Sequence, residues 1–365
     1  MSVFAAGLVT LTGLLAAKSY AGSVPQRPPE NGTPTAKQGV IGRKVTTLPV
    51  FALDAGLAGP PIIARDGSWW VLGRDGQLVH IAADDTVDWA IGVGAAITGE
   101  ATTGDNELVF APMANDLIIA VQPGGTPRWR SRTARGVEGP LAWVPGQGLV
   151  FVGRDQNVCW LGANAALLQT QRLVGRQSAG PVAIGGAFAI GTETGDVLVW
   201  SSRNTPARLK LSHPIHSIIA HPPSELLVLA GSDAYNVATR GQVLWQRAGV
   251  VALGSAIGGA IVLITQSGHA EWLNGRGEVE SFMEGCRDLD GEGVPEVAAT
   301  SKCAWISGSS GNLTQCCFQS GVKRFQLARV PLQRPVIDPL HHRVLVASSA
   351  REVWAVSLTR GTGQE

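Results

Sequence analysis

Along most of the chain, short apolar runs rich in Val, Ile, Leu and Phe alternate with short polar, Gly-containing turns. The runs are too short for amphipathic helices and are bounded by turn residues, so they predict β-strands. One unit recurs. Its first strand is visible at Val71-Leu72-Gly73, Phe110-Ala111, Phe151-Val152-Gly153 and Ala189-Ile190-Gly191. It returns at Val228-Leu229-Ala230, Val262-Leu263-Ile264, Val297-Ala298-Ala299 and Val344-Leu345-Val346. Each run is followed by a polar turn and a second strand.

The units are spaced at about 39 residues, the length of a four-stranded propeller blade. The fold expected is therefore all-β, a β-propeller of about eight four-stranded blades, with seven as the runner-up. Trp recurs on the second strand of the unit at Trp160, Trp200, Trp272, Trp305 and Trp354, and on a later strand at Trp89, Trp129 and Trp245. A large flat ring fills the wedge between adjacent blades, so these tryptophans read as packing residues. The last unit stops short of its final strand. A segment near the N-terminus, within 45–53, is expected to supply it and close the ring; Pro49 there suits an outer edge strand.

With these residues in view the chain resembles the quinoprotein-like (PQQ-like) propeller repeat, approximately Ala-x-Asp-x-x-Thr-Gly-x-x-x-Trp. Ala238 through Gly241 to Trp245 keeps the Gly-to-Trp interval, and so does Ala120 through Gly125-Thr126 to Trp129. Ala82-x-Asp84-x-Thr86 to Trp89 is a shortened copy. The resemblance covers residues from Val45 onward, in degenerate copies. It is similar in style to the propeller lipoproteins of the outer-membrane β-barrel assembly machinery, from which this chain departs in having no Cys after its N-terminal apolar run. What the resemblance implies is a WD40-like protein–protein interaction scaffold.

Ahead of the repeats, Val3 to Ala17 is apolar and Ser19-Tyr20-Ala21 offers a small-x-small cleavage site. Residues 1–21 thus read as a signal peptide, although Lys18 follows the apolar run and no basic residue precedes it. The run is shorter than the roughly 20 residues of a membrane span. Residues 22–44, rich in Pro, Gly and Gln, read as a flexible linker, and 45–365 as the propeller. A net charge of +1 over 365 residues, with only 16% charged, argues against nucleic acid as a partner. Five cysteines fit an exported or a retained chain alike; in an oxidising compartment the cluster of Cys286, Cys303, Cys316 and Cys317 could staple one blade. The pairing is left open by the sequence, a bridge between the adjacent Cys316 and Cys317 being strained. The localisation expected is periplasmic, secreted or cell-surface.

The sharpest local motif is Asp288-Leu289-Asp290-Gly291-Glu292-Gly293-Val294-Pro295-Glu296. Acidic groups at alternating positions on a Gly-rich loop can converge on a hard cation, which takes about six to eight oxygens. The segment resembles the integrin-type (FG-GAP-like) calcium loop, with Glu292 and Glu296 where Asp is usual. One structural Ca²⁺ held by Asp288, Asp290, Glu292 and Glu296 is expected. A PQQ-type dehydrogenase is the minority alternative, suggested by the adjacent cysteines. The chain lacks the long insertions that build such active sites, so no PQQ and no catalytic residue is expected. His213, His216 and His221 have no defensible metal spacing, and His341-His342 falls in a turn. Arg128, Arg130 and Arg132 alternate around Trp129, which in a strand sends all three to one face, with Arg135 extending the group. They offer a docking face for an acidic partner or an anionic glycan, or simply a solvated outer strand.

The expectation for function is a non-catalytic scaffold for envelope protein subunits. An uncleaved N-terminus would keep it near a membrane. A quinone- or metal-dependent oxidoreductase and a glycan-binding module are the alternatives.

Overall fold

A computed structural model describes residues 48–358 except 135, 258, 287–293 and 319. The expected signal peptide and linker, and Asp288, Asp290 and Glu292 of the acidic loop, lie outside the described residues. So does Arg135.

The architecture is the expected propeller, with eight four-stranded antiparallel blades among the described residues. Blade 1 comprises Ile62–Ile63, Trp69–Leu72, Gln77–Ile81 and Val87–Gly92, running from innermost to outermost strand. Blade 2 comprises Thr102–Thr103, Val109–Met113, Leu117–Val121 and Pro127–Arg132. Blades 3 to 7 repeat the order, ending on Leu167–Arg172, Ala207–Lys210, Val243–Ala248, Val279–Met283 and Gly321–Gln326. Blade 8 takes Val336–Asp338, Arg343–Ala347 and Glu352–Ser357 from the C-terminal end, and its outermost strand is Leu48–Ala52. That strand pairs antiparallel with Glu352–Ser357, Leu48 opposite Ala355 and Ala52 opposite Glu352. The N-terminal clasp expected from the sequence is thus formed.

Burial follows strand position. Val109–Met113, Gly148–Val152 and Ala187–Thr192 are buried at every residue, being covered on both faces. The outermost strands of blades 1, 2 and 3 alternate between exposed and half-buried residues. The apolar residues segregate into eight clusters, each shared by two neighbouring blades. Trp160, Leu198 and Trp200 join blades 3 and 4, while Leu57, Trp69, Leu345 and Val353 join blades 1 and 8. Tryptophan fills these wedges as expected: Trp69, Trp160, Trp200, Trp272 and Trp305 are all buried. Trp200 stacks on Phe188 at 4.9 Å.

The repeat motif has a geometric basis. The turn between third and outermost strands is closed by its own polar side chain, Asp84 accepting from the N–H of Thr86 and Asn164 from that of Ala166. The turn's fourth residue is left-handed: Gly125 (φ 80°), Gly241 (80°) and Gly277 (79°). Glycine is needed there for a second reason. A Cβ on Gly125 would lie 2.9 Å from the Trp89 ring of the preceding blade, and one on Gly277 2.6 Å from Trp245. The same tryptophan reaches across the wedge to the next blade's turn. Trp89 Nε1 donates to the Pro123 carbonyl (3.0 Å) and Trp129 Nε1 to that of Ala163 (2.8 Å). In blade 3 Gln169 takes the place of Trp and donates to the Arg203 carbonyl.

One unit is shifted from its expected position. The run that opens the unit lies on the blade's second strand in the other seven blades, but Val297-Ala298-Ala299 lies on the innermost strand of blade 7, Glu296–Thr300. The second strand is Cys303–Ser307, so Trp305 sits one strand inward of Trp160, Trp200, Trp272 and Trp354. The acidic stretch lengthens the connection from blade 6, and Val297 and Ala299 are buried between blades as second-strand residues are. The innermost strands of blades 6 and 7 also pair directly, in parallel, at Ala256–Ala299 and Ile257–Thr300.

The cysteines staple two blades, not one. Cys303 bridges Cys317 on the neighbouring strand of blade 7. Cys286, just past the outermost strand of blade 6, bridges Cys316 in blade 7. The adjacent Cys316 and Cys317 therefore pair away from each other, unlike the vicinal disulfide of quinone dehydrogenases. Cys159 is a free thiol.

Candidate functional site: the central channel and the blade edges

The innermost strands line a central channel, and Glu138, Gln177 and Glu296 open the innermost strands of blades 3, 4 and 7. Two adjoining cavities, of about 290 and 320 Å³, share Glu100, Glu296 and Arg334. The larger extends past Glu138 and Gln177 to His216. Glu100, Glu138, Gln177 and His216 come from or just before the innermost strands of blades 2 to 5, spaced by close to one blade length.

Most of these charges have partners. Arg334 pairs with Glu100 at 3.6 Å. Arg176 lies between Glu138 (3.2 Å) and Glu193 (3.7 Å), and Gln156 Nε2 donates to Glu138 at 2.6 Å. Glu296 is held above the ordinary carboxylate range, chiefly by loss of solvation between the channel walls. The Glu100 charge adds to that rise, while the Arg334 side chain and backbone N–H oppose it. Of the four residues expected to hold Ca²⁺, Glu296 alone is described, and it faces this channel with Arg334 and Glu100. Sequence reasoning missed the ring because its members are one blade apart and differ in type.

The histidines do not gather. His213 meets the Ser212 hydroxyl, His216 faces the channel, and His221 is buried against the Ser255 hydroxyl at 3.0 Å. Burial lowers the His221 pKa, partly opposed by Glu225. No cluster of three or more His, Cys, Asp or Glu suited to a metal occurs among the described residues. His341 is not a bland turn residue. It joins a network around the buried Asp338 and Arg343, in which Asp338 receives His341 Nδ1 (2.7 Å) and Arg343 Nε (2.9 Å), and Arg343 Nη1 reaches the more exposed Asp85 of blade 1 (2.6 Å). That network binds the last blade to the first. The Cys159 thiol is pushed up to about 11 by burial and the Asp155 charge, so it is not a ready nucleophile.

The arginines alternate as expected. On Pro127–Arg132, Arg128, Arg130 and Arg132 are exposed, while Trp129 and Ser131 are half-buried on the other face.

A closed ring of compact four-stranded blades defines the class as a β-propeller. Among solved structures it is similar to BamB from Moraxella catarrhalis, with a TM-score of 0.64 over 86% of this chain and 99% of that one, at 14% identity. It is equally similar to the computationally designed Ika8 protein, with a TM-score of 0.65 over 84% of this chain and 98% of that one, at 13% identity. At these identities the likeness is one of fold. No protein-family model matches the chain, and no curated protein matches it by sequence.

Proposed function

We propose that this chain is an exported, non-catalytic scaffold that holds protein subunits of a cell-envelope complex. The observation that carries the reading is the economy of the ring. Apart from the connection between blades 6 and 7, the described blades are joined by short segments, and Glu100 and Glu138 of the channel are engaged by Arg334 and Arg176 rather than aimed at a reacting centre. Such a frame presents edges and loops for binding. The fold shared with BamB and the resemblance to assembly-machinery propellers support the reading. So do two disulfides, which suit an oxidising compartment. On this reading residues 1–21 are the export signal, 22–44 a linker and 45–365 the propeller.

The acidic loop completes the proposal: Asp288, Asp290, Glu292 and Glu296 hold one structural Ca²⁺. The spacing of the carboxylates supports this, as does the bridge at Cys286 that anchors the chain just before the loop. A Ca²⁺-dependent rise in the unfolding midpoint, lost in Asp290→Asn, is the expected result.

The experiment for the scaffold is affinity capture of the tagged protein from its native envelope in mild detergent, with mass spectrometry of what co-purifies. Stoichiometric protein partners are expected. A chain that emerges alone after cross-linking overturns the reading. Retained quinone absorbance, or saturable binding to surface polysaccharide, would turn it toward an oxidoreductase or a glycan-binding module.

A further inference from the structure

The propeller's own repeats supply an internal comparison. In blade 4 the outermost strand carries Arg208 and Lys210 on one face. Both pair with Asp196, which is almost fully buried on the neighbouring third strand: Arg208 Nε lies 2.8 Å and Lys210 Nζ 3.4 Å from its carboxylate. Burial alone would raise the Asp196 pKa, but the hydrogen bonds from Arg208 and Thr194 and the two cationic charges hold it down. The register explains the reach, since Asp196 stands opposite Lys210 and Leu198 opposite Arg208.

Blade 2 has the same cations without the acid. Arg132 stands opposite Leu117 and Arg130 opposite Ile119, so the position of Asp196 is occupied by Leu117. Arg128 continues the row at the two-residue period. All three arginines are exposed. None makes an ion pair within 4.0 Å among the described residues, whereas Arg154 of blade 3 pairs with Asp116. The strand that carries them, Pro127–Arg132, is the last of its sheet and has an unpaired edge. Toward blade 3, beside Ser131, lies a groove of about 220 Å³ whose lining mixes apolar Phe151, Leu161 and Leu167 with polar Arg132, Asp155 and Asn157. Leu167 is 62% exposed there.

We infer that the outer edge of blade 2 is a docking site for an extended acidic segment of a partner protein, which adds to the blade as a fifth strand. This deepens the scaffold reading and rests on it. An added strand takes its affinity from main-chain hydrogen bonds along the free edge and its specificity from alternate side chains. Residues directly opposite across a sheet share a face. Acids at every second position of the partner therefore meet Arg128, Arg130 and Arg132, supplying from outside the counter-charge that Asp196 supplies within blade 4. The intervening residues fall on the other face, beside the groove, and apolar side chains suit it. The partner segment is one of alternating acidic and apolar residues.

The test uses the full-length exported protein and a short fluorescein-labelled peptide alternating Glu and Val, followed by anisotropy at low salt. A peptide of the same composition with its glutamates in one block is the control. The alternating peptide is expected to bind at least roughly tenfold tighter than the block peptide, with affinity falling as salt rises. The triple variant Arg128→Glu, Arg130→Glu, Arg132→Glu is expected to abolish binding. Leu117→Asp, which rebuilds the blade 4 arrangement without touching an arginine, is expected to weaken it, whereas Lys323→Glu on blade 7 leaves it unchanged. Failure of the alternating peptide to bind, equal binding of both peptides, or competition by heparin but not by unlabelled alternating peptide would overturn the inference. Partners captured from the envelope alongside a negative peptide result would leave the scaffold reading standing and remove only this site.

Discussion

Burying the Arg343 guanidinium or the Asp338 carboxylate alone would cost several kcal/mol, because a charge loses its water and gains nothing. Here each answers the other, with His341 on one side and Asp85 on the other. Arg343→Met leaves Asp338, which has no exposed side-chain surface, without its guanidinium partner. A loss of about 3–5 kcal/mol in urea unfolding is expected, part of it recovered by adding Asp338→Leu. The network also fixes a pH dependence. Burial pushes the Asp338 pKa up, but the hydrogen bonds from His341 and Arg343 outweigh it and hold it below the ordinary value of 3.8. A depressed carboxyl contributes stability above its unfolded pKa, and that contribution is lost as pH falls through the folded value. The gap in urea midpoint between the native chain and Asp338→Asn is therefore expected to hold from pH 7 to about 5 and to close below about 4. A gap that stays constant to pH 3 would count against the assignment. None of this was legible in the sequence. Asp85 and Arg343 are 258 positions apart, and His341-His342 after a proline looks like any polar turn. The tryptophans were legible, because a large ring repeated at a blade's period has one obvious use.

At the scale of the element, the repeat motif is a contact between blades. The glycine of one turn lies under the tryptophan of the blade before it, so the two residues belong to different sheets although they characterise one repeat. Gly125→Ala meets two penalties, a left-handed backbone and a Cβ against the Trp89 ring. A loss of about 2–4 kcal/mol is expected from strain and overpacking together. Ala165 is the converse. It holds the same turn position at φ 67°, so Ala165→Gly relieves the backbone, and a gain of up to about 1 kcal/mol is expected. Opposite signs for two substitutions at equivalent positions, read from urea midpoints, would establish the turn geometry. Matching signs would overturn it. Strand content and blade count could be read from the chain because each blade writes the same pattern in apolar residues. The seventh could not be placed to the strand. Its innermost strand has the small buried Val297 and Ala299 that elsewhere mark a second strand, and the acidic stretch breaks the spacing that would have corrected the register. The channel ring was illegible for a related reason: glutamate, glutamine and histidine share a position in space but no residue type.

Across the whole molecule, contacts run between neighbouring blades, as in other repeat proteins where stability is a sum of local and nearest-neighbour terms. A ring differs from an open array in having no terminal blade, and here two links of unlike kind add to the apolar cluster shared by blades 1 and 8. One is the buried charge network from Arg343 to Asp85. The other is the strand Leu48–Ala52, which lies across the bare edge of Glu352–Ser357 and packs Val50 and Phe51 against the cluster containing Leu345, Val353 and Trp69. A chain beginning at residue 53 keeps the first link and loses the second. Two half-buried apolar side chains and a row of main-chain hydrogen bonds are then missing, so a lower unfolding midpoint by roughly 2–4 kcal/mol is expected. The uncovered edge is also a template for another strand, and concentration-dependent self-association is expected in size-exclusion chromatography. Both effects should be reversed by a synthetic peptide spanning 44–53. If the shortened chain is as stable and as monomeric as the full one, the charge network and the apolar cluster of Leu57, Trp69, Leu345 and Val353 close the ring without the strand. If it is destabilised and the peptide restores it, closure is divided between the two links. The outer edge of a blade in this protein would then be an experimentally demonstrated acceptor for an added strand, which is the property the blade 2 site requires.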